Sequence, residues 1–386
     1  MKTVITAARL LTATEVIDHP VLIIEEEKIT AHGSREHVAV PAHACHYDFP
    51  DKIIAPGFID IHIHGGSGHD VMEANSSALA AIEQGMFKNG VTSYLPTTVT
   101  APLTDTLQSL EHLGKAIRSN RASSPGRSHP LGIHLEGPFI SHAKRGVHPP
   151  ENLISPSPAI LRQMHEASGG TVRIMTIAPE LQGAKETITE AARLGIQSSL
   201  GHSNATLAEA NAGIDAGARH ATHTFNAMRA LGHRDPGILG AVLTDDRVTA
   251  DLIADGLHVA PEVIKLFFRA KGIDGAILIT DAISATGMPD GKYKLGGFEV
   301  EVKGDRCDLN GKLAGSVLTL DRAVRNAMSF VPLTLQEAVR LVTLNPARML
   351  GLDDGRGQLV TGGIADLVVL TPAGEVTATM AAGQFP

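Results

Sequence analysis

Two histidines one residue apart close an apolar run, Ile53-Ile54-Ala55-Pro56-Gly57-Phe58-Ile59-Asp60-Ile61-His62-Ile63-His64. If the run is a strand, side chains two residues apart share a face, so His62 and His64 project together. Imidazoles are the commonest protein ligands of zinc and related divalent ions. Gly65 and Gly66 then let the chain turn away and leave room above the strand end. Alone, such a pair is weak, because strand histidines also serve as ordinary hydrogen-bonded groups. The pattern recurs, however. Other short apolar runs end in Glu136 (His134-Leu135-Glu136-Gly137-Pro138), His202 (Gly201-His202-Ser203-Asn204), His223 (Thr222-His223-Thr224) and Asp281 (Ile279-Thr280-Asp281). Ligand-type residues at five strand ends point to a divalent metal with a proton-transfer group beside it.

Positioning such a set requires a scaffold that gathers strand ends. Strands are predicted over 53–64, 91–99, 131–136, 171–178, 196–202, 219–224, 248–254 and 276–281. Between them lie helical patterns over 77–89, 104–120, 184–195, 205–216 and 261–271, several stopped by glycine (Gly90, Gly195, Gly272). Repeated strand–helix alternation makes a parallel sheet, and eight repeats in about 300 residues is the size of a TIM (β/α)8 barrel. Its chemistry sits at the C-terminal strand ends, where every candidate lies. An open doubly wound sheet is the runner-up, but no Gly-x-Gly-x-x-Gly follows the first strand. Both chain ends read as short strands, for example 21–24, 365–370 and 375–380. The expected division is therefore a small β-sandwich domain from residues 1–52 plus 353–386, and a catalytic barrel over 53–352.

Bulk properties narrow the class. The chain has 386 residues, 43% hydrophobic and 19% charged, which suits a globular enzyme. Its formal charge of −8 argues against non-specific nucleic-acid or anionic-membrane binding, and requires local cations for any anionic substrate. No apolar run reaches the roughly 18 residues of a membrane span. Arg9 interrupts the N-terminal segment, which lacks the apolar core of a secretory signal. With only Cys45 and Cys307 there is no disulfide framework, so a cytoplasmic setting is expected.

The run Pro56-Gly57-Phe58-Ile59-Asp60-Ile61-His62-Ile63-His64-Gly65 resembles the opening metal motif of the amidohydrolase superfamily. His134 to Phe139, Gly201 to Ala205, His223 to Met228, Arg234 to Gly237, Ile253 to His258, Thr280 to Ala282 and Leu313 to Ser316 resemble, in order, its amino-sugar 6-phosphate deacetylases. The resemblance implies that Glu136, His202 and His223 hold the tighter divalent ion, with zinc favoured over Fe2+, Co2+ or Mn2+. His62 and His64 would complete a second site, whose occupancy stays open because some relatives work with one ion. Asp281 matches the catalytic aspartate, and His258 a histidine near the acetyl carbonyl and sugar. Val147, His148, Asn226, Ala227, Leu313, Ala314 and Gly315 match positions lining the sugar–phosphate pocket. Arg234 matches a phosphate-binding arginine supplied by a partner subunit, which implies a homodimer.

The implied reaction is hydrolysis of the N-acetyl group of N-acetylglucosamine 6-phosphate, with the 4-epimer, N-acetylgalactosamine 6-phosphate, as the alternative substrate. The strand over 171–178 carries no lysine, so a carbamylated-lysine bridge between two ions has no residue, and Glu136 is the natural carboxylate in its place. Ordinary roles remain available to single residues. Asp281 could cap a helix, His258 could lie on the surface ahead of a helix at Pro261, and Arg234 could pair with Asp235.

Overall fold

The structure, a computed structural model, describes residues 2–119 and 125–386. Met1 and the last residue of the helix expected over 104–120 lie outside them. Five strands come first: β1 (Lys2–Leu11), β2 (Val16–Asp18), β3 (Pro20–Glu25), β4 (Lys28–Ser34) and β5 (Cys45–Pro56). The chain then breaks at Gly57 and restarts as β6 (Phe58–Ile63). The single strand expected over 53–64 is thus two, in different sheets. Pro56 still pairs with Leu367 of the terminal sheet, and at the next residue the Gly57 N–H donates to the Asp366 carbonyl at 2.9 Å. A Cβ at Gly57 would overlap the Thr92 side chain, so the crossing point needs glycine.

A short ribbon of β7 (Gly65–Gly66) and β8 (His69–Asp70) leads into α1 (Ser76–Lys88), β9 (Val91–Thr98) and α2 (Leu103–Arg118). Next come β10 (His129–Pro130), β11 (Ile133–Glu136), α3 (Pro158–Ala167), β12 (Val172–Ile177), α4 (Ala184–Arg193), β13 (Gln197–Leu200) and α5 (Leu207–Ala216). The alternation ends with β14 (His220–Ala221), α6 (Gly237–Thr244), β15 (Thr249–Ile253), α7 (Pro261–Lys271) and β16 (Ala276–Ile279). Strands β6, β9 and β11 to β16 are parallel neighbours in that order, the expected (β/α)8 barrel. They are buried on both faces, as parallel strands flanked by helices must be. The helices obey their end signals: Asn75 caps α1 by accepting from the Ala78 N–H, and Gly90, Gly195 and Gly272 take positive φ.

The seam between β16 and β6 closes at the site end. The Asp281 N–H donates to the His62 carbonyl (3.0 Å), and the His64 N–H to the Ala282 carbonyl (2.8 Å). Below them the Thr280 hydroxyl donates to the buried Asp60 carboxylate at 2.6 Å. Burial pushes the Asp60 carboxyl up to about 6, although Thr280 and main-chain N–H groups offset part of that rise.

After β16 comes a four-stranded antiparallel sheet that the sequence reading did not anticipate: β17 (Gly291–Leu295), β18 (Phe298–Lys303), β19 (Arg306–Leu309) and β20 (Lys312–Leu313). Its apolar face, with Leu295, Val300, Val302 and Cys307, packs on Val99, Ile283 and Ala314. Helices α8 (Leu320–Phe330), α9 (Leu335–Arg340) and α10 (Leu344–Leu350) follow, then β21 (Leu367–Leu370) and β22 (Val376–Met380). These last strands join β1 to β5 in one seven-stranded sheet, ordered β22-β21-β5-β1-β3-β4 with β2 on β1, so both chain ends build it. Cys45 is exposed and Cys307 buried, in different sheets.

Thr280→Val keeps side-chain shape but removes the hydroxyl donor to buried Asp60. Unfolding in urea should show a loss of about 1–3 kcal/mol. An unchanged midpoint would mean that this bond does not hold the seam.

Candidate metal centre

Glu136, at the end of β11, is the hub of the barrel mouth. Its Oε1 lies 3.1 Å from His202 Nε2 and 2.9 Å from His223 Nε2, and those two nitrogens are 3.1 Å apart. Its Oε2 lies 3.1 Å from His64 Nε2. His62 Nε2 is 3.2 Å from His64 Nε2 and 3.5 Å from Glu136 Oε1. Asp281 Oδ1 closes the second group, 3.5 Å from His62 Nε2 and 3.2 Å from His64 Nε2. One carboxylate therefore joins two sets of ligand atoms.

Whether these atoms suit an ion depends on which nitrogens carry lone pairs. His64 Nδ1 is 3.0 Å from the Thr97 carbonyl, and His202 Nδ1 is 2.9 Å from the Lys144 carbonyl. A carbonyl only accepts, so both rings keep a proton at Nδ1 and, once neutral, offer the Nε2 lone pair to the site. Tetrahedral ligands at 2.0–2.1 Å from zinc would stand about 3.3 Å apart. The observed separations bracket that spacing, so the donor set fits a divalent ion. His148 also approaches, its Nε2 3.6 Å from Glu136 Oε2, and distance alone groups it with Glu136 and His202. Its tautomer argues otherwise. The Thr100 main-chain N–H donates to His148 Nδ1 at 3.3 Å, which leaves the ring proton on Nε2. His148 is thus an N–H donor facing the cavity rather than a ligand.

Electrostatics follow from packing five imidazoles around one carboxylate. Burial opposes ionisation of Glu136, but the surrounding histidines hold its carboxyl well below the usual range. Burial also disfavours charged histidine. Against it, Asp281 and Glu136 raise His64 well above its ordinary value, and Glu136 carries His223 up to about 9. His202 shares that carboxylate oxygen, yet burial and its charged neighbours push it down to about 4. Without a metal, protons gather on His64 and His223 and are expelled from His202. Asp281 is lowered: His64 and His62 outweigh its burial.

The rest of the candidate set converges on one cavity of about 370 Å3 above Glu136. Val147, His148, Asn226, Ala227, His258, Asp281, Leu313, Ala314 and Gly315 all line it, as do His64, His202 and His223. His62 is fully buried behind them. Asp281 caps no helix; its backbone ties to β6, and φ is 51°. His258 does precede α7, but its side chain is 8% exposed and its Nδ1 lies 2.6 Å from Asp255 Oδ2. Arg234 stands apart, exposed and outside its own chain's cavity. The ordinary alternative, a pair with Asp235, is not formed, because Asp235 bonds to Arg229 at 2.5 Å.

Several contributors were missed from sequence. Asp255 orients His258, a role suggested only by its position three residues earlier. Asp60 lies within the first motif, where nothing in the sequence marks its bond to Thr280. Lys144, Arg145 and Lys312 make a cationic lining for this cavity. Their signal was basic residues flanking a glycine in a net-negative chain.

This is the fold and site of a metal-dependent hydrolase, and the chain belongs to the amidohydrolase family, whose model matches residues 53–385. It is 37% identical over 338 residues to the N-acetylglucosamine-6-phosphate deacetylase of Lysinibacillus sphaericus, covering 86% of this chain and 85% of that one. It is 40% identical over 335 residues to the N-acetylgalactosamine-6-phosphate deacetylase of Escherichia coli O157:H7, covering 86% and 88%. A variant of the Mycobacterium smegmatis N-acetyl-D-glucosamine-6-phosphate deacetylase, solved with N-acetyl-D-glucosamine-6-phosphate, superposes with a TM-score of 0.92 at 36% identity, covering 99% and 98%.

Metal uptake must displace the protons that Glu136 and Asp281 hold on His64 and His223. Titrating the metal-free protein with zinc at neutral pH should release protons to the buffer. Affinity should climb as pH rises toward about 9, where His223 loses its proton, with the raised His64 adding to the same trend. Calorimetry in buffers of different ionisation enthalpy reads the proton count; no buffer dependence would contradict the assignment.

Proposed function

We propose that this protein hydrolyses the N-acetyl group of N-acetylglucosamine 6-phosphate to glucosamine 6-phosphate and acetate, in amino-sugar breakdown. The observation that carries the reading is the juxtaposition of Glu136, the ligand histidines and Asp281 at the floor of a cation-lined cavity. The deacetylases that the chain resembles at 36–40% identity support it.

Glu136, His202 and His223 would hold the tighter ion, and His62 with His64 a second, weaker one. Zinc is favoured for the nitrogen-rich set, with Fe2+, Co2+ or Mn2+ as alternatives. A bound divalent ion acidifies its water and polarises an amide carbonyl. Asp281, ionised because its neighbours hold its carboxyl low, accepts the proton of the attacking water and passes it to the departing amine. An amine leaves only once protonated, so a single carboxylate serves both halves of the reaction. His258, oriented by Asp255, donates toward the acetyl oxygen as negative charge develops there. Val147, His148, Asn226, Ala227 and Leu313 to Gly315 shape the sugar pocket. Arg234 reaches the phosphate of the neighbouring protomer in a homodimer, in keeping with its exposure and its distance from its own cavity. We further assign the sheet built from both chain ends, expected over residues 1–52 plus 353–386, to one domain, with β5 carrying it on to Pro56, and the barrel expected over 53–352 to the catalytic one, in a cytoplasmic enzyme. No described helix is long and apolar enough to cross a membrane.

The second reading is the 4-epimer as preferred substrate, favoured by the 40% identity to the N-acetylgalactosamine-6-phosphate deacetylase. Acetate release from both phosphosugars, with and without a chelator, tests the two readings together. The gluco substrate should turn over faster, and the chelator should abolish activity. No acetate from either would reject the enzyme reading and leave a phosphosugar sensor. Asp281→Asn should keep its metal and lose activity by at least about 100-fold, the lower range of acid–base contributions. Near-normal turnover would move the base elsewhere.

The dimer claim has its own check. Arg234→Ala should raise KM for the phosphosugar far more than for unphosphorylated N-acetylglucosamine. Mixing Arg234→Ala with Asp281→Asn chains gives hybrid dimers with one site carrying both defects and one carrying neither, so activity should partly return. Hybrids without rescue would place Arg234 within its own subunit.

A further inference from the structure

The reading above gives no role to a fully buried pair in the barrel wall. Asp251 on β15 and His220 on β14 are both 0% exposed, and their side chains meet at 2.9 Å between Oδ2 and Nε2. His220 Nδ1 bonds to the Thr249 hydroxyl at 2.8 Å, so the ring is held at both nitrogens. The other oxygen of Asp251, Oδ1, accepts the main-chain N–H of His223, while the Asp251 carbonyl accepts from the Thr224 N–H at 2.9 Å.

Why His223 needs this hold follows from the backbone. Strand β14 is only two residues long, so the chain leaves the ladder before reaching His223. The next stretch alternates through unfavourable conformations: φ is 30° at His223, 82° at Phe225 and 52° at Ala227, none of them glycine. Such conformations cost free energy and persist only when neighbours enforce them. Like His62, and unlike His64 and His202, His223 has no anchor on its ring Nδ1. His64 and His202 lock Nδ1 on main-chain carbonyls, whereas His223 Nδ1 is buried without a partner. Away from the ligand atoms its imidazole is aimed through the main chain, and the side chain bonded to that N–H is Asp251.

We propose that Asp251, steadied by His220, is the positioning residue for the metal ligand His223, acting through the backbone rather than the ring. The inference rests on the metal-dependent reading of the site. It makes Asp251, 28 residues along the chain from the ligand it serves, a determinant of metal affinity together with His220.

The test strips the full-length protein with a chelator and titrates it with zinc alone. Cobalt(II) is then substituted, and its visible spectrum reports ligand geometry. Asp251→Leu keeps bulk without an acceptor, and should weaken the tight zinc equivalent 10- to 100-fold and alter the cobalt bands. Asp251→Asn retains an acceptor for the His223 N–H, and His220 can shift its proton to Nδ1 to receive the amide. That variant should bind within a few-fold of wild type. His220→Asn should lose affinity in the same direction as Asp251→Leu, and it keeps the proposal testable if the leucine variant does not fold. A purely structural role would lower the melting temperature of the metal-free protein and leave zinc affinity and the cobalt spectrum unchanged, overturning the proposal. Wild-type protein that binds no zinc would overturn the metal reading with it. Wild-type binding matched by Asp251→Leu or His220→Asn would overturn the positioning claim alone.

Discussion

A buried carboxylate is tolerable only when its charge is answered, and Glu136 is answered by imidazole nitrogens reaching it from several directions. That requirement organises the barrel mouth. Desolvating a charge costs several kcal/mol even after relaxation, so every strand that contributes a histidine must deliver it to the same point. The two sets of ligand atoms share Glu136, which makes them one electrostatic unit. A proton on His223 is bought at the expense of His202, and an ion at either set changes the charge felt by the other. The surrounding carbonyls of Thr97 and Lys144 fix which nitrogen is free. The ligand set therefore depends on main-chain positions as much as on the histidines themselves.

Convergence has a conformational cost. His202, His223 and Asp281 all have positive φ, at 46°, 30° and 51°. Each such residue costs of order 1–3 kcal/mol, and each is held by bonds that leave the regular ladder. The loop after His202 is tied by Glu180, which accepts from the Ser203 hydroxyl and the Asn204 N–H, both at 2.7 Å. Asp281 is tied to β6 across the seam. Strain at the strand ends turns side chains inward over the mouth instead of continuing the pleat. Burial, seam and strain thus serve one geometry.

Much of this was legible in the sequence because two periodicities carry it. Apolar runs of strand length ending in histidine or carboxylate located the barrel strands and their functional ends, and glycine stops located the helix ends. What stayed hidden has physical reasons. The insert β17 to β20 is short, half-polar and antiparallel, so its alternating pattern competes poorly with the strong β–α repeat around it. The break at Gly57 was invisible because Ile53 to Ala55 and Phe58 to Ile61 are equally apolar; only the sheet partners differ. Asp255 and Asp60 act on neighbours through hydrogen bonds, and no residue-type pattern announces that. The cationic lining from Lys144, Arg145 and Lys312 comes from two segments far apart in sequence, the second being strand β20, joined only by folding.

The break at Gly57 also explains why the terminal sheet belongs to the chemistry. Strand β5 pairs with β1 and β21, then passes through Pro56 and Gly57 directly into β6, which carries His62 and leads to His64. The Gly57 N–H is held by the Asp366 carbonyl, and the Asp366 carboxylate accepts from Arg356 at 3.2 Å. Strand β6 is therefore held twice: by the terminal sheet at its start and by the Thr280–Asp60 bond across the seam. A barrel strand has two neighbours to set its height, but β6 lies at the seam, where the ladder to β16 is reduced to the site end. The sheet built from both chain ends supplies the register that a full ladder would have given. His62 and His64 reach Glu136 at the right depth because the strand beneath them cannot slide.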